Sequence, residues 1–130
     1  MPQLSSVLLL AVLAVNIPAR AQHMNEKDSP CANVVLTVEL ANCFAKARDA
    51  VDTQLNAIYK SVRETLDAGD IQPLVSTQRL WIQYRDANCS AERGLYAGGT
   101  AASPAYLACL EAMTRARIKE LAVTYGVKLK

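Results

Sequence analysis

Aromatic side chains are scarce in this sequence, with one Trp, one Phe and five Tyr among 130 residues. A core of Ala, Val and Leu without bulky rings is thin, and a small domain built on it needs reinforcement. Histidine is nearly absent too. The only one, His23, stands close to the amino-terminal end, so a Cys or Ser nucleophile elsewhere has no evident base beside it. There is no H-E-x-x-H, G-x-S-x-G or phosphate-binding glycine loop, and no C-x-x-C pair. Asp86 and Glu92 do not share a helix face at their spacing and make a poor acid-base couple. These absences argue against an enzyme, a cofactor and a metal centre. With a formal net charge of +2 from interspersed charges, there is no electrostatic case for nucleic acid or a membrane surface.

The first stretch is the exception to a mixed composition. Leu4 to Val15 is apolar but too short to span a bilayer, and Ala19-Arg20-Ala21 fits a signal-peptidase site. Residues 1–21 are therefore expected to be a signal peptide and 22–130 one small exported domain, periplasmic or secreted. No cysteine directly follows the apolar run to carry a lipid anchor. The remaining domain does not call for a membrane.

All four cysteines, Cys31, Cys43, Cys89 and Cys109, fall in that domain. An even count in an exported chain points to two disulfides, each contributing on the order of 2 to 4 kcal/mol. Three pairings are possible. Cys43 and Cys109 stand at matching positions after the expected helix starts Thr37 and Ser103, which favours Cys43 with Cys109 and Cys31 with Cys89. The pairing of Cys31 with Cys43 and Cys89 with Cys109 closes shorter loops and is the rival.

Apolar residues at helical spacing mark a long first helix, from a cap at Thr37 to a stop at Ala68-Gly69, roughly 45 Å in length. Gln22 to Pro30 before it is expected to be extended or loose. Gly69, Asp70 and Pro73 make a turn, and a second helix runs from about Pro73 to Glu92. A short connection sets it antiparallel to the first. Gly94 to Ser103 is a loop of small residues, and Ser103-Pro104 reads as a cap and first-turn proline for a third helix ending near Tyr125-Gly126. No segment alternates at period two. The expectation is an all-α three-helix antiparallel bundle with a long first helix, stapled by two disulfides.

Within the second helix, Gln78, Trp81, Arg85 and Cys89 form one stripe. A plain core stripe would be aliphatic, because a buried amide or guanidinium is costly unless hydrogen-bonded. That stripe implies a specified polar network. Asn56 and Tyr59 on the first helix read as further interior polar contacts. The loop after Gly94 differs: Tyr96 stands among small residues, with Gly98 and Gly99 free to take positive φ, which suits insertion into a partner's cleft.

Taken together, Leu55-Asn56-x-x-Tyr59, Q-R-x-W-I-x-Y-R-D-A-x-C over Gln78 to Cys89, Gly98-Gly99-Thr100, and Cys109 with Thr114, Arg117 and Leu121 resemble the LprI-like lysozyme inhibitor domain. Cys31, placed ahead of Cys43, fits the same pattern. The resemblance implies a helical, disulfide-containing exported protein with a protein partner, lysozyme being the one that the family's name gives. On this reading Asn56, Tyr59, Gln78, Trp81, Arg85, Asp86, Thr114 and Arg117 are framework. Glu92, Tyr96, Gly98, Gly99 and Thr100 are the candidate binding surface.

Overall fold

The computed structural model describes residues 23–126, so the leader expected at 1–21 lies outside them. A short turn of 3-10 helix, His23–Asn25, precedes α1 (Thr37–Thr65), α2 (Ala68–Gly94) and α3 (Ala102–Tyr125). Among the described residues there is no strand, and no helix is long and apolar enough to cross a membrane.

The helix ends depart from the expected caps. Thr37 is the first helical residue and not the cap; Leu36 holds the cap position in extended backbone without a side-chain hydrogen bond, while Glu39 occupies the first turn as expected. Ser103-Pro104 likewise falls inside α3, which is capped at Ala101. The largest shift is at α2. Gly69, Asp70 and Pro73 belong to the helix, and the reversal is made by Leu66 and Asp67, both extended. Pro73 is tolerated because the carbonyl it leaves unpaired is in the solvated first turn. At the far end, Gly126 takes a left-handed φ of 65°, and its N–H donates to Ala122 O, closing α3 as a glycine stop does.

α3 lies between the other two helices, with α1 its closer partner. The core falls into three clusters along the bundle. The main one joins Val51, Leu55, Ile58 and Val62 of α1, Leu74 of α2, and Ile118, Leu121 and Ala122 of α3. Two smaller ones surround the disulfides: Phe44 and Ala108 pack with Cys31, while Leu110 packs with Cys89 and Cys109. Phe44 beside Ala108 and Val62 in the cluster of Leu121 show that α1 and α3 are parallel. α2 runs against them.

The disulfides are Cys31–Cys43 and Cys89–Cys109, not the favoured Cys43–Cys109 and Cys31–Cys89. Cys43 and Cys109 do stand at one height, since Phe44, next to Cys43, meets Ala108, next to Cys109. The face was wrong. Consecutive residues on a helix point about 100° apart, so Ala108 faces α1 while Cys109 turns to α2. Each bond thus sits where the aliphatic core runs out, and each serves as the centre of a small cluster.

Two measurements check this arrangement. In a non-reducing tryptic digest, Cys31 and Cys43 are expected on the single peptide Asp28 to Lys46, lighter by a pair of hydrogens than its reduced form, with no cross-link to Cys109. Phe44→Ala, at a site with 0% exposure, is expected to cost about 3 to 5 kcal/mol, read as a lower denaturation midpoint at unchanged m.

Candidate functional site

Both disulfides, the start of α1, the end of α2 and the start of α3 gather at one end of the bundle, and the loop of residues 95–101 crosses it. Cys89–Cys109 holds the two helices that carry this loop. Met113 Sδ packs against the bond, 3.7 Å from the Cys89 sulfur and 3.8 Å from that of Cys109. The loop is wound as successive turns: Leu95 N–H donates to Glu92 O, Tyr96 to Arg93 O, Ala97 to Gly94 O and Gly99 to Tyr96 O. Gly98 takes φ 83°, a region in which a side chain would be strained.

The loop's residues divide by depth. Gly98, Gly99 and Thr100 are exposed, and Leu95 beside them is 70% exposed. Tyr96 is half-buried; burial, and after it the Glu92 carboxylate, push its phenol above the usual range. Glu92 itself is buried. His23 Nδ1 donates to its Oε2 at 2.7 Å, while Oε1 is buried without a hydrogen-bond partner. Glu92 therefore supports the loop from beneath and presents no charge at its tip.

The amino-terminal segment is not loose. Its 3-10 turn packs on α3, and Arg115 holds it by donating to Asp28 at 2.6 Å, Glu26 at 3.3 Å and the buried Glu111 at 2.9 Å. His23, Glu92 and Cys109 bring ligand-type atoms within 4.8 Å of one another. Cys109 is bonded to Cys89, however, and a disulfide sulfur is no thiolate ligand. What remains is a His–carboxylate pair that ties the segment to α2.

The polar stripe forms a separate interior network. Arg117, 6% exposed, donates from Nε to Oε1 of Gln78, 7% exposed, at 3.1 Å, and pairs with Glu120 at 2.7 Å. Arg85 donates to Thr114 Oγ1 at 3.2 Å, to Asp52 at 3.4 Å and to the exposed Asp86 at 3.0 Å. Both guanidiniums lie over the Trp81 ring, at 5.2 Å for Arg85 and 5.8 Å for Arg117. Of the two residues read as interior on α1, Tyr59 packs against the main core while Asn56 is exposed. Sequence reading missed His23, Leu95 and Arg115; only the exposed apolar character of Leu95 next to the glycine-rich loop offered a local signal.

Comparison with known proteins bears on this whole arrangement. The family model described as lysozyme inhibitor LprI matches residues 30–121, a span that takes in all four cysteines, α1, α2 and most of α3. An uncharacterized protein of Rhizobium meliloti (strain 1021) is 30% identical over 127 residues, covering 87% of this chain and 88% of that protein. No solved structure matches.

The Arg115 guanidinium holds the Asp28 carboxyl below its ordinary value of 3.8. A lowered folded-state value adds stability that is complete above 3.8 and is lost as pH falls through the lowered value. Asp28→Asn is accordingly expected to lower the denaturation midpoint slightly at neutral pH, with the difference from wild type closing as the pH drops below 3.8. Midpoints measured across that range would show it. A constant difference at all pH values would contradict the role of this pair.

Proposed function

Because the chain belongs to the lysozyme inhibitor LprI family, we propose that it is an exported binding protein that inhibits a lysozyme, or another enzyme acting on the cell envelope, by occluding its cleft. Residues 1–21 are the leader removed on the way to the periplasm or the medium. Two disulfides in a small domain accord with that route. The observation that carries the reading is the loop of residues 95–101, which sets exposed Leu95, Gly98, Gly99 and Thr100 on a base fixed by Cys89–Cys109 and by the His23–Glu92 contact.

A cleft that threads a glycan chain is concave, and the narrow end of a helical bundle is convex. Insertion of the loop would exclude substrate without any chemistry by the inhibitor. Affinity on this model comes from apolar contact by Leu95 and Tyr96 and from backbone groups bared by the glycines. A pre-shaped loop loses little conformational freedom on binding, which favours tight association for its area. The net charge is +2 for the full sequence and +1 once Arg20 leaves with the leader, so the protein has little long-range attraction for a cationic lysozyme, and association should respond weakly to salt.

A second reading is a structural or assembly module of the envelope without inhibitory activity. It is favoured by one observation: most of the residues that carry the family likeness, Gln78, Trp81, Arg85, Thr114 and Arg117 among them, are buried or half-buried and serve the fold.

Titrating a C-type lysozyme acting on bacterial cell walls with the oxidised protein separates the two. Saturable inhibition is expected, abolished by reduction and alkylation. Leu95→Glu is expected to weaken it by about tenfold or more, the loss of an apolar anchor being worth on the order of 1.5 to 3 kcal/mol. Removal of Gly98 to Ala102 should weaken it further. Undiminished inhibition by the trimmed protein would rule out the loop, and no inhibition at large excess would remove this class of lysozyme as the target.

A further inference from the structure

Beyond the Asp52–Arg85 pair, on the side away from the disulfides, α1 and α2 run toward the short turn that joins them. Between them opens a groove of about 590 Å³. Asn56, Tyr59 and Arg63 line one wall and Gln78, Arg79 and Arg85 the other. Its size lies within the range of sites that hold small organic molecules. Leu55, Val75 and Ile82 supply apolar surface between the polar groups.

The polar groups are nearly all donors. The one carboxylate in the lining, Asp52, is engaged by Arg85. Arg85 is itself satisfied by Asp52, Asp86 and Thr114. Arg63 and Arg79 are different. Both are exposed, and Arg63 lies over the Tyr59 ring at 5.9 Å. Among the described residues neither guanidinium pairs with a carboxylate; Glu64, the acid nearest in sequence to Arg63, is 3.9 Å from Lys60. Gln78 adds a buried, oriented amide. Arg117 donates to its Oε1, which commits Oε1 to accepting and leaves the amide nitrogen to donate. A neutral polar ligand would need acceptors and donors in balance; this groove offers two unspent cations and an excess of N–H and O–H groups.

We propose that the groove binds a small organic anion, its carboxylate or phosphate held by Arg63 and Arg79 with the Gln78 amide, and its body resting on Tyr59 and the apolar lining. The guanidinium fork matches the paired oxygens of either group. This site is separate from the loop end and does not depend on enzyme inhibition.

Trp81 provides a built-in reporter, being the only tryptophan in the chain and in contact with Arg85, which lines the groove. The disulfide-bonded protein is titrated with citrate and, separately, with inorganic phosphate, against sodium chloride at matched ionic strength. Trp fluorescence is recorded beside NMR signals of the arginine Nε–H and glutamine side-chain amide groups. Saturable shifts of the Arg63, Arg79 and Gln78 signals are expected with at least one probe, and the tighter probe identifies which oxyanion the site prefers. Arg63→Gln and Arg79→Gln, both at exposed positions that leave the core intact, are each expected to weaken binding about tenfold, as the loss of one charge-assisted hydrogen bond implies. Lys119→Gln, an exposed cation on α3 outside the groove, should leave it unchanged. No saturable shift with either probe into the millimolar range would overturn the proposal. So would affinity unaltered in both arginine variants, or a loss in Lys119→Gln equal to theirs, since that would mean diffuse charge attraction only.

Discussion

Two guanidiniums share one indole ring, and the bundle's register hangs on that arrangement. Arg85 and Arg117 both lie over Trp81, and each takes hydrogen-bond partners from another helix. Arg85 reaches Asp52 on α1 and Thr114 on α3, and Arg117 on α3 reaches Gln78 on α2. Burying a cation without its partners costs several kcal/mol. A slip of α3 by one turn, about 5.4 Å, would break the bonds to Thr114 and Gln78 together. An aliphatic core of this thinness tolerates such slips, because Ala, Val and Leu pack acceptably in more than one register. The polar network penalises the alternatives, while the disulfides secure the end that the network does not reach.

The helices were legible because their period runs through most of the chain, and packing reinforces every turn of it. Their ends were not. Thr37 and Ser103-Pro104 have the chemistry of caps, yet a cap is worth only about 1 kcal/mol, less than the burial gained when α1 and α3 meet their neighbours in the best register. Pro73 misled in the same way: its residue type marks a boundary, but its position near the solvated start of α2 makes it affordable. The polar stripe announced a network without naming its members on α1 and α3. His23 was the least legible. Its partner Glu92 is 69 residues away in sequence, and no local pattern connects a residue near the chain's start to the end of α2.

The cysteines show how a correct inference about height can fail on azimuth. Spacing from the helix starts located Cys43 and Cys109 at one level, which the contact of Phe44 with Ala108 bears out. Sequence spacing gives position along an axis readily. Facing direction depends on which neighbours a helix has, and α3 has one on each side.

Net charge was similarly blunt. A formal value of +2 conceals Arg63 and Arg79 standing unpaired on one groove while Arg85 and Arg117 are neutralised inside. What matters for recognition is which cations retain unspent hydrogen bonds, and that follows from packing. The two surfaces differ in chemistry: the loop end exposes Leu95 beside glycine backbone, and the groove presents guanidiniums. The family likeness reaches both surfaces: Gly98, Gly99 and Thr100 belong to the loop, while Asn56, Tyr59, Gln78, Arg79 and Arg85 line the groove. Trp81, Thr114 and Arg117 behind the groove hold its Arg85 and Gln78 in place, so the fold and the groove depend on the same residues.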